Sequence, residues 1–306
     1  MSLAGRAERK LGRTDLIESL AQLSTSDWTS IQMATAERRA ARRTPSVVLA
    51  AWMKDPYVLP VAADARTLRR LELAMLEEAL SFEAIELSPL APLGACSTFS
   101  IGGQNRVLAA ARDLEVLADP TNALALECAA RRRSDSRAVR LCACTRVVRA
   151  QPLVDPTHTR HFSLLSAVTA ERHRDSRAFA EVHLEEHIRL HARLHSLAVD
   201  EGTGRPATAL RLLAADEMSE TAERLAARLQ DVAPRVDVDR LESPYYAGLR
   251  FQLSSRIGDV ELPLSDGGVF DWMRTLCSDR KEQLCASAIG VELAVRIQRR
   301  DDPVPR

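Results

Sequence analysis

The sequence predicts an α+β domain built around a mostly antiparallel sheet flanked by helices. Three observations carry that expectation. Short stretches of alternating apolar and polar residues recur at hairpin-scale spacing, two long helix-period stretches interrupt them, and no fixed-period repeat runs through the 306 residues. Residues 1 to about 60 are helix-rich and carry the basic run Glu37-Arg-Arg-Ala-Ala-Arg-Arg43 ahead of the breaker Thr44-Pro45. They are expected to form a helical extension over 1–61 with a solvated basic face, ahead of a core over 62–306. A helix is expected from about Ala63 to Leu80, where Leu68, Leu71, Met75 and Leu76 fall three and four apart. Phe82-Glu-Ala-Ile-Glu-Leu-Ser-Pro89 then alternates and stops at proline, the pattern of a half-buried strand leaving a sheet edge.

Strands are expected at 106–110, 115–118 and 138–148, with a helix over 122–132 between the last two. A turn-rich loop at 154–159 leads into a strand over 161–169. The two long helices fit 179–198 and 217–229. The last third alternates again at 235–239, 248–254 and 260–263, and closes with 284–296, which reads as strand or helix.

Composition narrows the function classes. Basic and acidic side chains balance at 42 each, unlike a protein whose whole surface serves nucleic acid. The longest uncharged apolar stretch, Pro45 to Met53, is nine residues, against the ~20 needed to span a bilayer. With no signal-peptide order at the N-terminus, a soluble cytoplasmic protein without membrane contact is expected. The six cysteines are too few and too irregular for a disulfide scaffold. Cys142 and Cys144 share one face of a buried strand and read as small apolar residues rather than a metal pair. His183, His187, His191 and His195 recur every four residues on the apolar side of their helix. They admit two uses: a metal held by an i, i+4 pair, or a packing surface of hydrogen-bonded imidazoles sensitive to pH. No carboxylate or cysteine is placed beside them by sequence, and no metal site is expected.

Three motifs occur in order near the end of the chain: Pro244-Tyr-Tyr-Ala-Gly-Leu-Arg-Phe251, Ser265-Asp-Gly-Gly-Val-Phe-Asp271 and Ala286-Ser-Ala-Ile-Gly-Val-Glu-Leu293. Together they resemble histidyl-tRNA synthetase, in which a Tyr-Tyr strand, a Gly-Gly turn and a terminal Gly-x-Glu-Arg segment line the amino-acid and ATP pockets of a class II core. The helix and strand ending at Pro89 look like motif 1, whose proline sits at a dimer interface. Arg146-Val-Val-Arg149 and His158-Thr-Arg-His-Phe162 look like motif 2. Glu115 to Leu126 is similar to the family's Leu-Arg-Pro-Glu-Gly-Thr stretch. The resemblance spans about residues 62–296 and implies a class II synthetase-like core, ATP with Mg as cofactor, a homodimer, and a site of named residues. Arg149 would grip an α-phosphate as the catalytic cation. His158, Phe162 and Glu292 would complete the nucleotide site, with Phe162 stacked on adenine. Tyr245, Tyr246, Asp266, Gly267 and Gly268 would receive an amino acid, with only one tyrosine entering the pocket because neighbours on a strand face opposite ways.

Departures from the family bear on activity. Leu293 stands where an arginine should grip the γ-phosphate, with Arg296 one helical turn on, and Gln151 stands where motif 2 has glutamate. Leu117-Ala-Asp-Pro-Thr-Asn122 displaces the glutamate that receives the substrate ammonium, and Arg240-Leu-Glu-Ser-Pro-Tyr-Tyr246 is one residue longer than its counterpart. The sequence runs about ten residues past the last motif, so no anticodon-binding domain of about a hundred residues is expected, and tRNA is not an expected partner. The leading expectation is a catalytically altered paralogue that binds an amino acid-like small molecule and regulates a protein partner, resembling the histidine-biosynthesis regulatory subunit that acts with an ATP phosphoribosyltransferase. An ATP-dependent ligase that forms an acyl-adenylate without charging tRNA is the alternative. A nucleic-acid-binding module using the arginine-rich N-terminal helices comes third.

Overall fold

The computed structural model describes residues 3–100, 103–150, 159–197, 208–257 and 260–298. Four helices come first: α1 (Leu3–Lys10), α2 (Leu16–Ala21), α3 (Thr25–Ala40) and α4 (Pro45–Trp52). Ser24 caps α3 by accepting from Asp27 N at 3.1 Å, and Thr44 caps α4 with Pro45 at its first position. None of the residues of α2, α3 or α4 is buried.

The next helix, α5 (Ala65–Glu78), starts where Asp64 accepts from Arg66 N and Thr67 N, each at 3.0 Å. Its Leu68, Leu71 and Met75 are buried. Beyond it come β1 (Glu83–Ala84), β2 (Leu90–Pro92), β3 (Ala109–Ala110), β4 (Leu114–Val116), α6 (Pro120–Arg132), β5 (Val139–Val148), β6 (His161–Arg172) and α7 (Ser176–Leu197). The chain continues through β7 (Thr208–Ala214), α8 (Ser219–Arg228), β8 (Arg235–Arg240), β9 (Leu249–Ile257), β10 (Val260–Phe270), α9 (Trp272–Cys277), β11 (Glu282–Gly290) and α10 (Val291–Gln298).

Eight strands make one sheet in the order β1-β5-β6-β11-β10-β9-β7-β8, and β2-β4-β3 make a small second sheet. The large sheet is mixed: β1 runs parallel to β5 and β7 parallel to β8, while every other pair is antiparallel. The parallel β7–β8 pair is joined through α8, the connection a parallel pair requires.

Alternation along the strands assigns the faces. Cys142, Leu165, Ala167 and Ile289 pack with α5, α7 and α10, and Leu210, Leu212, Phe251 and Leu253 pack with α7 and α8. This is the helix-covered back. Their neighbours Leu141, Ala143, Val168, Leu284 and Ala286 face the front beneath α6 and α9. The C-terminal end of α6 is fastened to β11 by a two-point ion pair, Arg132 to Glu282 at 2.6 and 2.7 Å, with both side chains buried.

Several elements differ from the sequence expectation. The strand over 82–89 shrinks to β1 plus one bond, Ile85 N to Cys142 O at 2.9 Å, because the chain then leaves for the second sheet, where Leu117 N donates to Pro89 O at 2.9 Å. β10 runs well past 263, straight through the two glycines, with a bulge between Pro263 and Ser265. The ambiguous 284–296 resolves into strand β11 followed by helix α10. β7 and α9 had no counterpart. Thr-Ala-Leu-Arg-Leu-Leu-Ala is rich in helix formers, so its strand character comes from the sheet around it, and six residues of α9 are too few to show a period. Cys142 and Cys144 both face the back, and burial pushes the Cys142 thiol up to about 11.

The four-residue histidine column crosses the back of the sheet strand by strand. His183 meets Glu171 on β6 at 3.1 Å, and His187 bonds Thr169 on β6 at 3.0 Å and Ser287 on β11 at 2.7 Å. His191 bonds Ser265 on β10 at 2.9 Å, and His195 bonds Ser255 on β9 and Ser265, both at 2.8 Å. Hydroxyls both donate and accept, so each can serve a neutral imidazole. Burial holds His187 and His195 down to about 3 and lowers His191 well below its ordinary value. Among the described residues no group of three or more His, Cys, Asp or Glu is placed to hold a metal ion.

Candidate functional site

The front of the sheet is where the β5–β6 hairpin, the start of α6 and the small sheet converge. Val148 N donates to Leu117 O at 3.0 Å, Ala150 N to Arg106 O at 2.8 Å, and Arg149 N to Arg160 O at 2.9 Å. These bonds fix Arg149 just past the end of β5, on the same face as Thr145 and Val147. Its Nε donates to Ala118 O at 2.8 Å and its Nη2 to Asp119 Oδ2 at 3.3 Å, while the guanidinium carbon lies 5.3 Å from the centre of the Phe162 ring. Two of the five guanidinium donors are thus used among the described residues.

Asp119 has a second task. Its Oδ1 accepts from Thr121 N at 3.0 Å and Thr121 Oγ1 at 2.7 Å, capping α6, with Pro120 at the first helical position. The Asp-Pro pair is the sequence signal that marks this residue, and the expected helix start at 122 passes over it. Asp119 also lies close enough to Cys96 and Tyr245 to raise both pKa values, after the larger effect of burial. Glu115 holds the overlying turn, accepting from Gly94 N at 2.9 Å, Cys96 N at 3.1 Å and Gln104 Nε2 at 2.8 Å. Deeper on the front face, Asn122 Nδ2, Thr145 Oγ1 and Ser166 Oγ are buried without a hydrogen-bond partner among the described residues. Unsatisfied polar atoms are costly in a folded interior and suit a site that takes up a polar ligand.

Beside this cation lies an aromatic wall. Pro244 and Gly248, the latter at φ +92°, turn the chain. Tyr245 and Tyr246 therefore sit in a turn rather than a strand, and both rings pack on the front face, 5.1 Å apart. The expectation that only one could face the site is corrected accordingly. Phe270 and Trp272 extend the wall, 4.2 Å from each other, with Tyr245 5.4 Å from Phe270. Tyr246 donates to Asp266 Oδ1 at 2.8 Å, and Arg250 donates to the same oxygen at 2.9 Å while also pairing with Oδ2. Arg250, which no motif in the sequence marks as a site residue, stands over the Tyr246 ring at 4.9 Å.

No family model matches the chain, and no curated protein matches it in sequence. Its coordinates are similar to an ATP phosphoribosyltransferase regulatory subunit/histidyl-tRNA synthetase from Bacillus halodurans C, at TM-score 0.58 and 15% identity over 78% of this chain and 82% of that one. They are similar to apo histidyl-tRNA synthetase of S. aureus at TM-score 0.58 and 12% identity, over 78% and 69%. A histidine–tRNA ligase subunit from Alicyclobacillus acidocaldarius aligns at TM-score 0.55 and 13% identity, over 78% and 96%. The chain has the class II synthetase-like core fold.

Within that class II core, the expected site residues separate. Arg149, Phe162, Tyr245, Tyr246 and Asp266 share the front face. Glu292 does not: its Oε1 takes Arg146 Nη2 at 2.7 Å and its Oε2 takes Ser163 N at 2.7 Å. Arg146 alternates with Arg149's side of β5 and points backward with Cys142 and Cys144, so Glu292 is corrected from nucleotide ligand to a brace between α10 and the hairpin. Leu293 packs into the back core with α5. Gly267 and Gly268 lie inside β10, not in a turn. A Cβ on Gly267 would come within 2.6 Å of Phe251 and Ser287, and one on Gly268 within 2.5 Å of Leu249 O and 2.6 Å of Tyr246. Both glycines are needed for close packing, Gly268 to seat the Tyr246 ring. His158 and Gln151, and the loop at 154–158, lie outside the described residues, as does the side chain of Arg296.

A magnesium triphosphate does not fit the described residues. Arg149 on Phe162 suits one anionic group against a flat ring, but Glu292 is committed to the opposite face, Asp266 is held by Arg250 and Tyr246, and the outer-phosphate position carries Leu293 in the core.

Proposed function

We propose that this chain is a class II core paralogue that binds an amino acid-like small molecule and acts through a protein partner, without activating its ligand. The observation that carries this is the adjacency of Arg149 and Asp119 on the front face, one fixed cation beside one fixed anion. That pair matches the carboxylate and ammonium of a zwitterion, and Asn122 Nδ2, Thr145 Oγ1 and Ser166 Oγ, buried on the same face, have no partner among the described residues. A fold neighbour described as a regulatory subunit supports the regulatory part. A homodimer across α5 and β2 belongs to the same proposal, supported by the exposed Leu73 on α5, Leu80 just after it, and Leu90 and Leu93 in and beside β2. Cytoplasmic location accompanies it: no described helix is long and apolar enough to cross a membrane.

An ATP-dependent ligase is the second reading, favoured by the Arg149–Phe162 stack alone. Isothermal titration calorimetry against the twenty amino acids tests the first. Saturable binding of one of them, lost in Arg149→Ala, is expected; heat from none of them contradicts it.

A further inference from the structure

Helix α4, Pro45-Ser-Val-Val-Leu-Ala-Ala-Trp52, is apolar on every side yet buries no residue. Val47, Val48, Leu49 and Trp52 are 51% to 59% exposed. A helix that is hydrophobic all round belongs under cover, and eight residues hold no helix alone in water. An open groove of about 560 Å³ lies along it, lined by Ala40, Arg43, Pro45, Val48, Leu49 and Trp52. At its head, Arg38, Arg39, Arg42 and Arg43 are exposed and make no ion pair among the described residues.

We propose that the α3–α4 groove docks an amphipathic helix of a partner protein, its apolar face on Val48, Leu49 and Trp52 and its acidic residues against Arg38 to Arg43. Charge decides between occupants. α4 is about 12 Å long, so a second copy of this chain seated symmetrically on it would bring two sets of four arginines within about that distance, against a single glutamate, Glu37, in each run. A bilayer surface takes helices whose apolar residues are segregated to one face. In α3 and α4 they are not segregated, whereas an open apolar groove with a basic end fits an acidic helix laid along it.

The groove rests on the partner-binding part of the function proposed above. Its failure shows in peptide binding, whereas failure of the small-molecule part shows in calorimetry at Arg149, which α4 variants leave unchanged. The experiment is fluorescence anisotropy of two labelled 18-residue amphipathic helical peptides with the same leucine face, one with glutamates on the polar face and one with lysines, titrated with the full chain. The glutamate peptide is expected to bind about tenfold or more tighter than the lysine peptide and to weaken with salt. Val48→Asp should lose that binding with an unchanged melting temperature, and the double change Arg42→Glu and Arg43→Glu should invert the preference. Equal affinity for the two peptides, binding of neither, capture only by phosphatidylserine vesicles, or a dimer that Val48→Asp dissociates would each overturn the proposal.

Discussion

An anion arriving at Arg149 competes with the Ala118 carbonyl and the Asp119 carboxylate for the same guanidinium, so the two acidic and basic partners are separable by mutation. Asp119→Asn should weaken a zwitterionic ligand by about tenfold, the loss of one charge-assisted contact. It should tighten a simple anion such as pyrophosphate, because a repelling charge is gone. Calorimetry with both ligands reads the opposite signs. Glu292 behaves differently. Glu292→Gln leaves Arg146 without its counter-charge, and a loss of about 1–3 kcal/mol in the thermal melt is expected with ligand affinity unchanged. Gly268→Ala drives a methyl into the Leu249 carbonyl and should cost about 1–3 kcal/mol by the same measurement. A motif's order was enough to single out Arg149 and Phe162, whose side chains the fold brings together. Orientation was not legible: whether Glu292 faces front or back depends on where β11 ends and α10 begins, a boundary that local pattern leaves open by a few residues.

At the scale of elements, α7 is locked to four strands through neutral imidazoles. His187, His191 and His195 are uncharged in the fold and titrate at about 6.5 when unfolded. As pH falls below 6.5 the unfolded chain binds protons that the fold refuses, so stability is complete above that pH and is lost progressively toward about 3. Each histidine contributes a slope of up to about 1.4 kcal/mol per pH unit. The groups facing them are the hydroxyls of Thr169, Ser287, Ser265 and Ser255; Glu171 and Glu186 pair with His183, and Glu186, His183 and Arg140 also act on His187, where burial has the larger effect. Urea midpoints between pH 7.5 and 5 should therefore fall, above the range where carboxylates titrate, and His195→Gln should flatten the fall; a midpoint constant across that range would contradict it. Long amphipathic helices and alternating strands were readable because their periods repeat. β7 was not, because its alanines, leucines and arginine carry helix preference that only its position between β9 and β8 overrides. The histidine column was visible as a period, but its strand partners sit 12 to 100 residues away along the chain.

For the whole molecule, the fold is that of a class II synthetase-like core whose front face carries the Arg149–Phe162 and Arg250–Tyr246 cation–ring pairs and closes much of the rest with tyrosine, phenylalanine and tryptophan. If α5 and β2 form the dimer face, sedimentation should show a dimer, and Leu73→Glu with Leu80→Glu should yield a folded monomer; a wild-type chain that sediments as a monomer would remove that part of the proposal. The central claim is that the site holds its ligand without activating it. Amino-acid-dependent exchange of labelled pyrophosphate into ATP, run with the full chain and magnesium for each amino acid that binds, tests this most directly. No exchange above the Arg149→Ala background is expected, and sustained exchange with any one amino acid would contradict it.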